Sequence, residues 1–409
     1  MIAAGAIGNV LEWYDFAVYG YFAAAIGRAF FPSEDPVAQV LAAFGIFAVG
    51  FLMRPVGGAL IGHVGDRLGR RTALTISVVA MAVPTFLVGI LPGYQVLGVA
   101  APILLTVLRM LQGLSVGGEY TTSIVFMVER APPNRRGVIG AIACCGAVGG
   151  ILLGSATAAA LASVMSSEAL EAWGWRIPFL LGLVVGLAGF VLRRQAGEAP
   201  KVRLAERSPV VETLRHHAPL LVRLAALAVF NSVGFYLMFV YIVSWLQLVD
   251  GVAPAVALEI NTLSMIVLLP VMVAMGWLSD RVGRRPVLLA ATVLGVAGAL
   301  PFFWLMHHGT PGLVLLGQLG FVVVLGGYIG VLPTTLVEAA PLVVRCTAIA
   351  LGYNVTLGIV GGLSPAVAAW LVDRTGNSFS PAFMIMAAAA ASFLAVLRLA
   401  ETHRAPLET

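Results

Sequence analysis

The sequence predicts an all-α membrane protein whose twelve transmembrane helices form two pseudo-symmetric six-helix bundles. Three observations lead there. The first is composition: of 409 residues, 60% are hydrophobic and 11% charged, and mean hydropathy is +0.98. Soluble domains carry about 25% charged residues, so the solvent of this chain is lipid. The second is a succession of apolar runs of the length, roughly 20 residues, that a helix needs to cross a bilayer. The third is an internal repeat. Gly62-His63-Val64-Gly65-Asp66-Arg67-Leu68-Gly69-Arg70-Arg71 returns as Gly276-Trp277-Leu278-Ser279-Asp280-Arg281-Val282-Gly283-Arg284-Arg285, 214 positions later. A second motif, Glu-x-x-Pro-x-x-x-Arg, occurs as Glu129 to Arg136 and again as Glu338 to Arg345, 209 positions apart. Two motifs repeating in one order at nearly one period mean two halves built alike.

Taken in order, the first-half runs lie near 3–30, 37–63, 72–91, 96–128, 136–163 and 174–193. Those of the second half lie near 219–248, 254–279, 286–306, 311–338, 344–372 and 379–399. The longest polar stretch, Arg194 to Ala218, separates them, so the expected division is 1–193, a linker 194–218, and 219–409. The charged hinge follows the second and eighth runs. Basic residues stay cytosolic. With the hinge inside, 19 of the 24 Lys and Arg fall on the inner side, and Glu34, Asp35, Glu168, Glu171, Asp250 and Asp373 fall outside. Both termini are then cytosolic and the protein sits in a plasma (inner) membrane. No cleavable leader is visible, because the first apolar run is long and interrupted by acids. Cys144, Cys145 and Cys346 lie in apolar runs and read as packing residues. The pairs His216-His217 and His307-His308 read as solvated loop residues.

Charge at membrane depth is costly and by default functional. The candidates are Glu12, Asp15, Arg54, Arg109, Glu119 and Arg176, the last with an interfacial role. Asn9, Glu12, Asp15, Phe16 and Tyr19 fall at helical spacing and form one polar stripe on the first run. At 1.5 Å per residue, Glu12, Arg54 and Glu119 share a depth of roughly 14 Å from the inner end. A carboxylate that can be neutral or ionised beside a permanently charged arginine is what a proton site requires. Glu12, Asp15, Glu119 and Arg109 are therefore the proton-coupling candidates. Arg109 and Gln112 share one face of the fourth run and, with Arg54, suit a solute carboxylate. The second half offers neutral groups: Asn231, Tyr236, Gln318 and Asn354 are candidates for solute binding, and the seventh run is rich in aromatics that suit packing or stacking on a cation. Gly146, Gly150 and Gly154, and likewise Gly358 and Gly362, are spaced by four, which favours close helix packing.

These residues carry a resemblance. The repeated hinge resembles the loop signature of the major facilitator superfamily, and Arg109-Met110-Leu111-Gln112-Gly113 looks like its fourth-helix motif. Gly8-Asn9-Val10-Leu11-Glu12-Trp13-Tyr14-Asp15-Phe16, Phe51-Leu52-Met53-Arg54-Pro55-Val56-Gly57-Gly58 and Trp173-Gly174-Trp175-Arg176-Ile177-Pro178-Phe179 are similar to stretches of the metabolite:proton symporters. The resemblance covers essentially the whole chain. It implies the major facilitator fold and a monomeric, non-enzymatic carrier working with protons and a small solute in a lipid bilayer, with no cofactor, metal or nucleic acid. It also implies cytosolic gate clusters Asp66–Arg70–Glu129 and Asp280–Arg284–Glu338. Two solute classes stay open: a small carboxylate-bearing metabolite, which is the leading expectation, and a zwitterionic osmolyte such as proline or betaine. The expected direction is import by symport, because Ala147 follows Gly146 where efflux antiporters of the superfamily carry Gly-Pro. Relatives with an osmosensing role end in a coiled-coil extension that this sequence does not show, which weighs against osmoregulation.

Overall fold

The computed structural model describes residues 2–57, 60, 70–115, 119–195, 209–403 and 405–407. Among the described residues all regular structure is helical. Of the described residues, eight helices are long and apolar enough to cross a membrane: Pro36–Gly57, Pro133–Val164, Ala218–Asp250, Pro254–Val282, Arg284–Met306, Pro311–Ala339, Arg345–Thr375 and Ser380–Leu397. Shorter apolar helices cover Ile76–Ile90, Ala100–Ser115 and Gly174–Val184. With the first helix, Ile2–Tyr21 continued as Ala23–Phe30, these give twelve spans, numbered here in chain order. The fourth is in two pieces, Ala100–Ser115 and Glu119–Glu129. Within the expected linker, Pro209–His216 is helical, and residues 196–208 lie outside the described set.

Local chemistry explains where the spans start. Span two begins at Pro36, whose preset φ suits a first helical turn, and the Asp35 side chain caps it by accepting from the Val37 N–H. Proline likewise opens spans eight and ten. The hinge between spans eight and nine turns at Gly283, whose φ of 109° would strain any other residue.

Small residues set the packing. A Cβ on Gly150 would meet the Val10 carbonyl at 2.6 Å and one on Gly154 would meet Ala17 at 3.2 Å, so span five lies directly on span one. Gly146 faces open space and takes no part in that contact, contrary to the even spacing of the three glycines. Gly358 and Gly362 both abut Phe51, joining span eleven to span two across the halves.

Two π turns, Leu237–Tyr241 in span seven and Thr356–Gly361 in span eleven, interrupt otherwise regular helices. Such turns free backbone carbonyls from the α-helical ladder and concentrate at functional sites. Those of Met238 and Phe239 accept instead from Gln318 and Asn261.

The halves touch at both ends. On the hinge face, Asp280 accepts from the Gly137 and Val138 N–H groups at 2.8 and 3.0 Å. On the far face, Ser155 meets Thr262 at 2.7 Å, and the rings of Phe44 and Tyr241 pack 5.8 Å apart. Among the described residues the halves are thus in contact at both faces.

Candidate functional site

Among the described residues, three clusters that contain buried charge lie inside the bundle, beside a neutral polar seam. The first is wholly within the first half. Asp15 of span one is fully buried, and its Oδ2 is 2.6 Å from Nη1 of Arg109 on span four. Its Oδ1 accepts from Gln112 Nε2 and from the Thr85 hydroxyl of span three, both at 2.8 Å. Gln112 Oε1 in turn accepts from Arg109 at 2.9 Å, so a guanidinium donor and a carboxylate acceptor fix the orientation of the amide. Nε and Nη2 of Arg109 have no hydrogen-bond partner. The guanidinium carbon instead lies 4.2 Å from the Tyr19 ring centre and 4.8 Å from that of Phe16. The negative faces of those rings offset part of the missing hydrogen bonding. The Tyr19 hydroxyl donates to the Ala43 carbonyl. In this closed state Arg109 and Gln112, read from sequence as partners for a solute carboxylate, are engaged by Asp15.

The second cluster surrounds Arg54 of span two. Its guanidinium carbon lies 4.5 Å from the Phe51 ring, 5.0 Å from Phe16 and 5.3 Å from Trp13. It is 4% exposed. Phe16 therefore stands between the two buried guanidinium groups, about equally close to each. Rings continue outward from this box into the second half: Phe51 packs edge-on to Tyr236 at 5.2 Å, and Trp13 to Tyr120, which lies 6.0 Å from Tyr353. Beyond them is a small cavity of about 10 Å³, lined by Tyr120, Asn231 and Tyr353 among others, which is room for about one water. Asn231 donates to the Tyr353 hydroxyl at 3.1 Å. Asn354, one residue on, is half-buried and does not line this cavity. Gln318 belongs to a separate seam nearer the far face, where it donates to Asn261 and Asn261 donates to Ser155 of the first half.

The third cluster closes the hinge face. Arg284 donates to Asp280 at 2.7 Å and forks onto both oxygens of Glu338 at 3.2 Å. The sequence places this cluster near water. It is buried instead, with side chains 0%, 4% and 2% exposed for Arg284, Asp280 and Glu338. The burial comes from the other half, whose span-five N-terminus sits on Asp280 and whose Arg136 comes within 3.9 Å of Glu338. Glu129, expected to join Asp66 and Arg70, pairs with Arg345 of the second half at 2.6 Å. Asp66 and the side chains of Arg70, Asn9, Glu12 and Glu119 lie outside the described residues.

Sequence reasoning missed Thr85, Arg136, Arg345 and the chain's last turn. Arg136 and Arg345 end the repeated Glu-x-x-Pro-x-x-x-Arg motif, which was a usable signal for pairing between halves. Beyond span twelve, Glu401 accepts from the backbone N–H groups of Arg284 and Arg285 at 2.9 Å, Thr402 donates to Glu338 at 2.7 Å, and Arg136 donates to the Ala405 carbonyl at 2.9 Å. Burial acts against ionisation of Glu401, yet the N–H groups of Arg284, His403 and Arg285 hold its carboxyl below the usual range. No periodicity marks these residues, and Thr85 sits one position after Pro84 in a run that reads as plain apolar helix.

Comparison with known proteins gives consistent results. The sequence pattern of the Major Facilitator Superfamily matches residues 5–363. The chain is 37% identical, over 100% of its length and 84% of the relative's, to the glycine betaine/proline/ectoine/pipecolic acid transporter OusA of Dickeya dadantii (strain 3937). It is 36% identical, with the same coverage, to the proline/betaine transporter of Escherichia coli (strain K12). Among solved structures, a D-xylose-proton symporter superposes with a TM-score of 0.79 at 20% identity, covering 99% of this chain and 98% of that one. The xylose transporter XylE from E. coli in its inward-open conformation gives 0.77 at 20%, covering 98% and 96%. At that identity the structural likeness speaks for the fold.

Proposed function

This chain belongs to the major facilitator superfamily, and from that premise we propose that it imports small zwitterions of the proline and betaine kind together with protons, by alternating access. The observation that carries the coupling is the shared ring: Phe16 lies against Arg109 of the Asp15 pair and against Arg54 of the aromatic box. A change of charge at Asp15, the partner of Arg109, is passed toward Arg54 through a single side chain.

Asp15 is the proton carrier in this reading. Ionised, it satisfies Arg109 inside lipid. Protonated, it leaves Arg109 short of its partner, and a buried charge that loses its partner costs about 3–5 kcal/mol. Opening the far face admits water to Arg109 and relieves that cost, so a proton taken from outside and far-face opening favour each other. The hinge cluster answers from the opposite end. Its contacts between halves are made here and must break when the hinge face opens, and only such differential contacts shift the balance of states.

The solute class follows from the relatives' names. Of the two classes the sequence leaves open, organic acids are the less supported, because the relatives that match over the whole chain are named as proline and betaine transporters.

The rest of the assignment is consistent with this reading. The six-helix halves are 1–193 and 219–409, joined by 194–218. The hinge face is cytosolic because the basic residues collect there, which puts both termini inside a cell (inner) membrane. The protein works as a monomer in the bilayer and is a carrier, not an enzyme.

The test is uptake into proteoliposomes under an imposed pH gradient. Labelled proline and glycine betaine should accumulate, and excess citrate, 2-oxoglutarate or shikimate should leave that accumulation unchanged. Accumulation of an organic acid in place of the zwitterions would overturn the reading.

A further inference from the structure

The bonds around Asp15 can be counted hydrogen by hydrogen. Nη1 of Arg109 carries two hydrogens and has two acceptors, Asp15 Oδ2 at 2.6 Å and Gln112 Oε1 at 2.9 Å. Nε2 of Gln112 also carries two and has two acceptors, Asp15 Oδ1 at 2.8 Å and the Thr85 hydroxyl oxygen at 2.9 Å. All of those hydrogens are committed. The Thr85 hydroxyl differs. It carries one hydrogen and stands 2.8 Å from two acceptors, Asp15 Oδ1 and the Met81 carbonyl one turn back in span three. It serves one of them at a time, so the two bonds are alternatives related by rotation about a single C–O bond.

The state of Asp15 decides between them. The ionised carboxylate only accepts, and it takes the hydroxyl hydrogen in a charge-assisted bond. The protonated acid has a hydrogen of its own to place, and Asp15 is fully buried. On Oδ2 that hydrogen would point at an Arg109 N–H. On Oδ1 it meets a Gln112 N–H and the Thr85 oxygen, and only the oxygen can accept. A hydroxyl oxygen has two lone pairs. One takes Gln112; the other faces Asp15 once the hydroxyl hydrogen has turned to Met81.

We infer that Thr85 is a positioning residue of the proton site: its hydroxyl donates to ionised Asp15, and on protonation it turns to the Met81 carbonyl and accepts the new O–H from Oδ1. This rests on the proposed role of Asp15 as proton carrier and deepens it. The proton stays on the carboxyl group and no bond within Thr85 breaks. Oδ2 keeps its contact with Arg109 but loses the charge, which is the change the transport cycle uses. Among the described residues, the titratable groups acting on Asp15 are Arg109 from span four and Tyr14 and Tyr19 on its own helix. Thr85 from span three is neutral, so its rotation moves no charge. Both forms of Asp15 are then hydrogen-bonded without water, as a carrier closed at both faces requires, since an unpaired buried polar group is costly.

The experiment is difference infrared spectroscopy of the full chain in lipid nanodiscs as pH is lowered, with no solute added. The carbonyl stretch of protonated Asp15 is the band that Asp15→Asn removes. A carboxylic acid whose O–H is hydrogen-bonded absorbs at lower frequency than one whose O–H is free. Thr85→Val keeps the shape and removes the hydroxyl, so the band should move to higher frequency, and Thr85→Ser should bring it back. In proteoliposomes Thr85→Val should cut proton-driven accumulation of proline about ten-fold, and Thr85→Ser should recover it. A fall in accumulation with the band unmoved is a structural effect and overturns the rotor, as does a band that Thr85→Val leaves in place. If Thr85→Val does not fold, Thr85→Cys in a background lacking the three native cysteines takes its place: its S–H stretch should shift as Asp15 titrates, and a fixed S–H band overturns the rotor. If Asp15→Asn removes no band, the proton-carrier reading itself falls and the rotor with it. Because the infrared series needs no solute, it holds whichever solute class the uptake assay finds.

Discussion

Away from the hinge face, the described interior of the first half holds Asp15, Arg109 and Arg54, and that of the second half holds Asn231, Asn261, Gln318 and Tyr353. Both halves carry a copy of the hinge sequence between apolar spans, so the contrast lies in the side chains. A group that changes charge in lipid needs a permanent countercharge and a shell of donors, and spans one, three and four supply them around Asp15. Neutral amides and hydroxyls need only local partners, which the π turn of span seven and neighbouring side chains provide. The contrast suggests a division of labour, with proton and solute charge handled by the first half and the rate and shape of closure by the second.

The largest expected effect breaks the charged side of that contrast. Asp15→Asn keeps the shape and removes the titration, so proton-driven accumulation should fall about 100-fold, the rate equivalent of ~3 kcal/mol. Exchange of preloaded solute should persist, and counterflow with and without a pH gradient separates the two. A variant that still concentrates solute under a gradient would remove Asp15 from the coupling.

Next in size is Asp280→Asn. It takes one carboxylate from Arg284 and weakens the acceptors for the Gly137 and Val138 N–H groups. Charge-assisted hydrogen bonds of this kind contribute about 1.5–3 kcal/mol, so the hinge face should open more often by about ten-fold. Alkylation of a cysteine placed at the cavity-lining Leu336, in a background lacking the three native cysteines, reports that directly. Unchanged labelling with normal transport would leave the cluster only a role in orientation.

A smaller effect sharpens the neutral side. Gln318→Leu removes the bonds to the Met238 carbonyl and to Asn261. A loss of about 1 kcal/mol should slow uptake about five-fold. The number of protons moved per solute, measured from reversal potentials, should not change. A changed ratio would place coupling in the second half too.

The smallest concerns Glu401→Gln, which weakens the cap on span nine. Loss of a helix cap costs about 1 kcal/mol, seen as a slightly lower melting temperature in nanodiscs. The folded carboxyl lies below its usual range, so its contribution is present above the unfolded value of about 4.3 and fades as pH falls through the folded one. The parent and the variant should converge in stability at acid pH.

The sequence announces the helices because composition and run length are properties of one segment at a time. The repeated hinge announces the two halves for the same reason. Asp15 and Arg109 are visible as costly charges, but their pairing depends on how spans one and four cross, and nothing in either segment encodes that. The role of Trp13 and Phe51 is hidden differently, since an aromatic at helical spacing is ordinary packing until a guanidinium is found among its neighbours. The hinge cluster is legible in its members and not in its burial, because the atoms that bury it belong to Gly137 and Val138, 143 and 142 positions away from Asp280.

Gly137 and Gly276 meet where spans five and eight cross at the hinge face. A Cβ on Gly137 would sit 2.3 Å from the Gly276 carbonyl oxygen, and one on Gly276 would sit 2.6 Å from that of Gly137. Closure there ends in main chain against main chain, a mechanical end stop whose position no rotamer can adjust. The seal is as tight as two hydrogen atoms allow, which matters if, as proposed, protons must not slip past an empty site. A single methyl at either position would hold the door ajar by a fraction of an ångström, turning a coupled carrier into a slow leak.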